Sequence, residues 1–168
     1  MSRDEGPGIR TDEPVVPDAS TQQRFVEALQ ELDTIVWEMD ARTWRFTHVS
    51  DRAVRMFGYP LERWIEEGFW QEVLVDPEDR DWCTGYCLSS TNDNRNHAFV
   101  YRARTANGRL LWIKDVVRVI PERDGTPALL RGVMVDVTAE RAGMASPDHL
   151  ALDYDAPELE PLRRILIA

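Results

Sequence analysis

Residues 99–137 read FVYRARTANGRLLWIKDVVRVIPERDGTPALLRGVMVDV, and this stretch decides the fold. Phe99, Tyr101 and Ala103 alternate with Val100, Arg102 and Arg104, the period of a half-buried strand. Asn107-Gly108 is a tight hairpin signal, because both residues tolerate the left-handed backbone that such a turn needs. Leu110 to Ile120 makes a long strand, Asp124-Gly125 a second turn, and Leu129 to Val137 a last strand. Consecutive hairpins mean antiparallel pairing. Upstream, Ile35–Met39 and Trp44–Val49 read as a strand pair across a turn at Asp40–Thr43. Between the two strand groups lie short helical segments. One runs from Ser50 to Gly58, one follows Pro60, and one opens on Asp76-Pro77-Glu78-Asp79, where Asp76 suits the cap and Pro77 the first helical position. Helices grouped between strand pairs give an α+β fold, not a βαβ fold.

The rest of the chain divides around this core. Residues 1–20, with Pro7, Pro14 and Pro17, read as a disordered leader. Residues 21–33 read as a flanking amphipathic helix carrying Phe25, Leu29 and Leu32 at helical spacing. Residues 34–142 form the domain. Residues 143–168 are an acidic tail ending in an apolar turn, Leu162-Arg163-Arg164-Ile165-Leu166-Ile167. The 168 residues suit one domain. The net charge of −10, from 20 basic and 30 acidic side chains, argues against nucleic acid as a partner. No apolar run approaches the ~20 residues that span a bilayer. Two cysteines, Cys83 and Cys87, are too few for a disulfide scaffold, which favours a reducing, cytoplasmic setting. They share a helix face, but no histidine or further cysteine completes a metal site.

The ordered series of segments resembles a PAS domain. Ile35-Val36-Trp37-Glu38-Met39-Asp40 is similar to that family's opening strand, and Met56-Phe57-Gly58-Tyr59-Pro60 to its "xxGY" helix end. Trp70 to Arg80 resembles its "HPDDR" segment, with Asp76 where histidine is common. Asp136-Val137-Thr138 resembles its "DIT" ending. The resemblance spans roughly residues 30–140. It implies a five-stranded antiparallel sheet with short helices over one face and a pocket between. It also implies a sensory or interaction role without catalysis.

With the family's inward parity, Ile35, Trp37, Met39, Tyr101, Ile113, Asp115, Val117 and Met134 line the pocket. Two readings stand: a core filled by these side chains, or a ligand cavity in which Asp115 anchors a cationic or hydroxylated ligand. An inward carboxylate is costly unless hydrogen-bonded, so Asp115 needs a partner, with Tyr101 the nearest candidate. The cofactor is left unknown. A flavin-adduct domain needs a cysteine where this chain has Leu61-Glu62-Arg63-Trp64-Ile65. Haem-binding members carry a histidine near the position of Cys83, so neither flavin nor haem is expected.

With about thirty residues after Thr138, signal output is expected to pass to a protein partner: a separate kinase, a response regulator, a transcription component, or a second copy in a homodimer. The interface candidates are Phe25, Leu29, Leu32 and Trp112. The alternative is a small α+β cavity-fold enzyme or metabolite-binding protein that uses Asp115 and Tyr101.

Overall fold

A computed structural model describes residues 19–20, 34–144 and 148–167. The flanking helix expected over residues 21–33, with Phe25, Leu29 and Leu32, lies outside the described residues, as do residues 1–18 of the leader.

Strand β1 (Thr34–Asp40) turns into β2 (Phe46–Val49). Three helical pieces follow: α1 (Arg52–Phe57), α2 (Leu61–Trp64) and a π-helical segment over Phe69–Leu74. Helix α3 (Arg80–Asn92) leads into the meander β3 (His97–Arg104), β4 (Leu110–Pro121) and β5 (Pro127–Asp136). A short α4 (Thr138–Arg141) precedes a strand β6 (Leu150–Leu152) and a terminal α5 (Glu160–Ile167). All pairings are antiparallel, in the order β2-β1-β5-β4-β3-β6. Among the described residues the sheet therefore has six strands, not the five expected. The sixth comes from the tail, where Leu150-Ala151-Leu152 pairs with Val100, Phe99 and Ala98 on the open edge of β3. An open edge presents unpaired backbone donors and acceptors, and a short segment of almost any sequence can satisfy them.

The strand alternation sorts side chains onto two faces. The inner face packs against the helices. Ile35, Trp37, Met39, Phe99, Tyr101, Ile113, Val117 and Met134 join Ala53, Phe57, Trp64, Phe69, Trp70, Leu74, Cys83 and Cys87 in one buried cluster. Aromatic rings dominate it. Trp64 meets Phe46, Phe57 and Phe69 at centroid distances of 5.5, 5.6 and 4.8 Å. Such tilted and edge contacts add to the area they bury.

The outer face carries Ala98, Val116 and Val133, and the tail covers them with Leu159 and Leu166. The Leu166 carbonyl accepts a hydrogen bond from Arg118 Nη1 at 3.2 Å. Arg163 Nη1 donates to the Tyr154 and Ala156 carbonyls at 2.6 and 2.7 Å, closing the bend that leads into α5.

The acidic run at 76–79 does not start helix α3 at Asp76. The helix begins four residues later, at Arg80. Asp76 Oδ1 accepts locally from the Glu78 backbone N–H at 3.1 Å, while its Oδ2 and the carboxylate of Asp79 bond arginines of β3. Asp76 Oδ2 accepts from Arg104 Nε at 2.6 Å, and Asp79 Oδ2 accepts from the Arg102 backbone N–H at 2.8 Å and its Nε at 3.0 Å.

Candidate functional site

The centre of the inner face is polar. Asp115 lies on β4, paired with Phe99 of β3 on one side and Met134 of β5 on the other, and is 1% exposed. Both carboxylate oxygens are held. Trp37 Nε1 donates to Oδ1 at 3.1 Å, and the Tyr101 hydroxyl donates to Oδ2 at 3.0 Å. Tyr101 in turn accepts from Trp70 Nε1 at 3.1 Å. Trp70, Tyr101, Asp115 and Trp37 thus form one buried hydrogen-bonded chain from the π-helical segment, across β3 and β4, to β1. Burial disfavours the ionised carboxylate and lifts its pKa to about 7, although the bonds from Tyr101 and Trp37 pull it back down. Among the described residues no lysine or arginine compensates its charge. Burial, with the charge of Asp115, raises the Tyr101 phenol well above its ordinary range, so it stays protonated and donates. Cys83 and Cys87 are likewise pushed up by burial and remain thiols.

Gly132 makes this geometry possible. It faces Trp37 directly across the β1–β5 pairing. A Cβ built there would stand 2.0 Å from Cζ2 of the indole. With no side chain at 132, the indole lies flat over β5 and its N–H reaches Asp115 on the next strand.

A small cavity borders the chain, of about 10 Å³, lined by Trp37, Trp44, Trp70, Phe99, Asp115 and His97 among others. His97 is 2% exposed. Its Nδ1 lies 2.9 Å from the Arg95 carbonyl, which can only accept, so Nδ1 carries the proton. Nε2 is then a bare acceptor, and among the described residues it has no hydrogen-bond partner. Burial lowers the His97 pKa to about 4, so the ring stays neutral near pH 7.

The eight residues expected at a pocket lie on the covered face, where Tyr101, Asp115 and Trp37 are in direct contact; Trp37, Met39, Asp115 and Val117 line the small cavity, and Ile35, Tyr101, Ile113 and Met134 do not. Sequence reasoning did not find Trp70, His97, Trp44 or Gly132. Of these, Gly132 carried a cue, since a glycine inside a strand marks a close approach. Trp112, an interface candidate, is on the outer face, but it is only 8% exposed. Arg141 stacks on its ring at 4.4 Å and Arg102 at 5.4 Å.

A second polar cluster pins the tail. Asp79, fully buried, also lies 3.0 Å from His149 Nδ1, and His149 stacks on Trp82 at 4.3 Å. Burial alone would raise the Asp79 pKa, but bonds from Arg102 and His149 hold it below its ordinary value. Asp79, Asp148 and His149 bring ligand atoms within 4.8 Å of one another. The Arg102 guanidinium already supplies the cation there, bonding Asp79 and reaching Asp148 at 3.7 Å.

Comparison with known proteins agrees with this architecture. A model of the PAS fold matches residues 46–134. The N-terminal domain of a diguanylate cyclase with PAS/PAC sensor from Marinobacter aquaeolei is 28% identical at a TM-score of 0.61, over 64% of this chain and 98% of that one. A sensory box histidine kinase/response regulator from Burkholderia thailandensis is 21% identical at 0.57, over 71% of this chain and 88% of that one. The PAS domain of a protein from Colwellia psychrerythraea is 16% identical at 0.56, over 70% and 98%. These last two likenesses speak for the fold alone. No curated protein matches the chain. With strand order, inward parity and a matched family model spanning more than half its length, this chain belongs to the PAS family, whose domains are generally sensory.

Proposed function

We propose that the chain is a signal-transduction module that works by binding, with its input read in the buried Asp115 chain and its output passed to a protein partner at the outer sheet face. The observation that carries this reading is the place of Asp115 on β4. Asp115 faces the helices, while its neighbour Val116 faces outward beneath Leu159 and Leu166 of the tail. One strand's thickness separates input from output. A change of charge or contact at Asp115 that shifts β4 also shifts the surface on which α5 rests.

The partner is a separate kinase, a response regulator, a transcription component or a second copy, in the cytoplasm, where Cys83 and Cys87 stay free thiols. Trp112 becomes available to it when the tail and Arg141 lift, since Leu152 packs on the same outer cluster and Arg141 Nη2 bonds the Asp148 carbonyl at 2.9 Å. The enzyme reading is less well supported. Tyr101 and Asp115 bond each other, and the space beside them, about 10 Å³, has room for one water-sized group but not for a carbonyl substrate.

Ending the chain at Gly143 tests the output. Leu159 and Leu166, each 2% exposed, would no longer cover Val116 and Val133. Burial of two such side chains is worth roughly 3–6 kcal/mol as an upper bound, so a loss of about 3 kcal/mol is expected on urea unfolding. The truncated chain is expected to keep its far-ultraviolet circular dichroism and to dimerise through the uncovered face, doubling the mass seen by light scattering. A truncated chain that stays folded and monomeric would count against the outer face. Turnover of a hydrophobic carbonyl compound by the intact chain, abolished by Asp115→Asn, would establish the enzyme instead.

A further inference from the structure

The outer face is covered unevenly. One apolar row crosses it from strand to strand: Val36 on β1 faces Val133 on β5, Val133 faces Val116 on β4, and Val116 faces Ala98 on β3. Val133, Val116 and Ala98 lie fully buried in one cluster with Leu159 and Leu166 of the tail. Val36, at the β1 end of the row, is only half-buried. Beside it a groove of about 160 Å³ opens between β1, β2 and α5, with Val36, Ile165 and Leu166 among its walls and His48 on the β2 side. The carboxylate at the groove already has a partner, since Glu38 Oε1 accepts from Arg131 Nε at 2.6 Å. The groove therefore suits an apolar occupant better than a single ion.

The chain carries such an occupant next to the groove. Residues 21–33 run directly into Thr34, the first residue of β1, two positions before Val36. Ala19 and Ser20, just ahead of them, are already helical. On a helix Phe25, Leu29 and Leu32 make one stripe, and Arg24, Glu27 and Glu31 point away from it. The stripe is roughly 10 Å long at 1.5 Å per residue. Val36 and Glu38 lie about 7 and 13 Å along β1 from its start at 3.3 Å per residue. A helix that doubles back after Asp33 therefore sets its stripe over the uncovered end of the row. A helix this short is marginal alone and needs a surface to pack on. Its direct connection to β1 gives it a high effective concentration at the groove, which favours it over a second copy.

We propose that residues 21–33 dock as a helix in this groove, with Leu29 and Leu32 against Val36 of the sheet and Ile165 of α5. The helix then braces α5 from the β1 side, and the segments before and after the domain share one surface. The contact goes beyond the sensory reading and does not depend on it.

Hydrogen exchange followed by mass spectrometry on the full chain tests the contact, with light scattering at the same concentrations. Amides of residues 25–32 are expected to exchange about tenfold or more slower than in an unfolded chain, at the mass of a monomer and independently of dilution. Leu29→Asp should remove that protection and speed exchange at residues 165–167, while β3, β4 and β5 stay protected. Val36→Asp alters the groove from the sheet side and should free residues 25–32 in the same way. Ile165→Ala alters it from α5 and should raise their exchange severalfold, which keeps the test open if Val36→Asp fails to fold. Free exchange at residues 25–32 of the full chain would overturn the docking. So would protection that survives in a folded variant of either wall, which places the helix elsewhere, or protection seen only with a doubled mass, which makes a second copy the occupant. Failure of the sensory reading would look different: the Gly143-terminated chain would stay monomeric, while residues 25–32 of the full chain remained protected.

Discussion

Replacing Gly132 with alanine is expected to destabilise the domain by about 3 kcal/mol. The added carbon would stand 2.0 and 2.1 Å from two ring atoms of Trp37, distances no real contact shows. The backbone at 132 is not left-handed, so the demand is for space alone. Trp37 cannot tilt away freely, because Phe46 meets it edge-on at 5.5 Å and its N–H is fixed on Asp115. Overpacking of this kind costs about 1–3 kcal/mol, and losing a hydrogen bond to a buried carboxylate adds about 1.5–3 kcal/mol where it is lost completely. Urea unfolding followed by tryptophan fluorescence measures the loss, with Gly125→Ala as the control. Gly125 has open space around its Cβ position but φ 87°, so its cost is conformational and about 1 kcal/mol. A loss below 1 kcal/mol at Gly132 would mean that the indole moves aside easily and that the Asp115 chain is not held rigid.

The sequence made the inner face legible because a period of two leaves little freedom. Once Phe99, Tyr101 and Ala103 were assigned inward, the hairpin at Asn107-Gly108 carried the parity into Ile113, Asp115 and Val117, and all of them are buried. Alternation says which side a residue faces, not what it meets. Asp115 and Tyr101 could be paired as neighbours on adjacent strands, but Trp70 reaches Tyr101 from a π-helical segment that no periodicity announced. The acidic run at 76–79 satisfied the local rules for a helix start, and Asp76 Oδ1 does accept from the Glu78 N–H, but the helix begins at Arg80, with Asp76 Oδ2 and Asp79 bonded to Arg104 and Arg102, more than twenty residues away. Strand β6 is three residues long, too short for a pattern to show, and it is a strand because β3 offers it an edge.

Asp115 and His97 are expected to impose opposite pH dependences on stability, nearly cancelling in the intact domain and separable by one substitution. The carboxyl of Asp115 moves from its ordinary 3.8 to about 7 on folding. Between these values the folded state binds the extra proton, so stability falls as pH rises, by about 4 kcal/mol in all at 1.36 kcal/mol per unit. His97 moves the other way, from 6.5 to about 4. Here the unfolded chain binds the extra proton, so stability rises across the same interval, by about 3 kcal/mol. The buried groups around them, Tyr101, Cys83 and Cys87, are all shifted upward and stay neutral throughout, so they add no slope. Wild-type stability from pH 4 to pH 6.5 should therefore change little on account of this cluster, then dip toward pH 7 as the last of the Asp115 proton is lost. Asp115→Asn removes the falling component. Its amide oxygen still accepts from Trp37, and no charge is buried at any pH. The variant should gain stability steadily from pH 4 to pH 6.5 and exceed the wild type above pH 7 by a few kcal/mol. The quantity to measure is the difference between the two proteins in urea at each pH, because surface groups common to both drop out. A difference independent of pH would mean that Asp115 ionises as readily in the fold as in water, and the polar chain at the centre of the sheet could then not act as a charge-sensitive element.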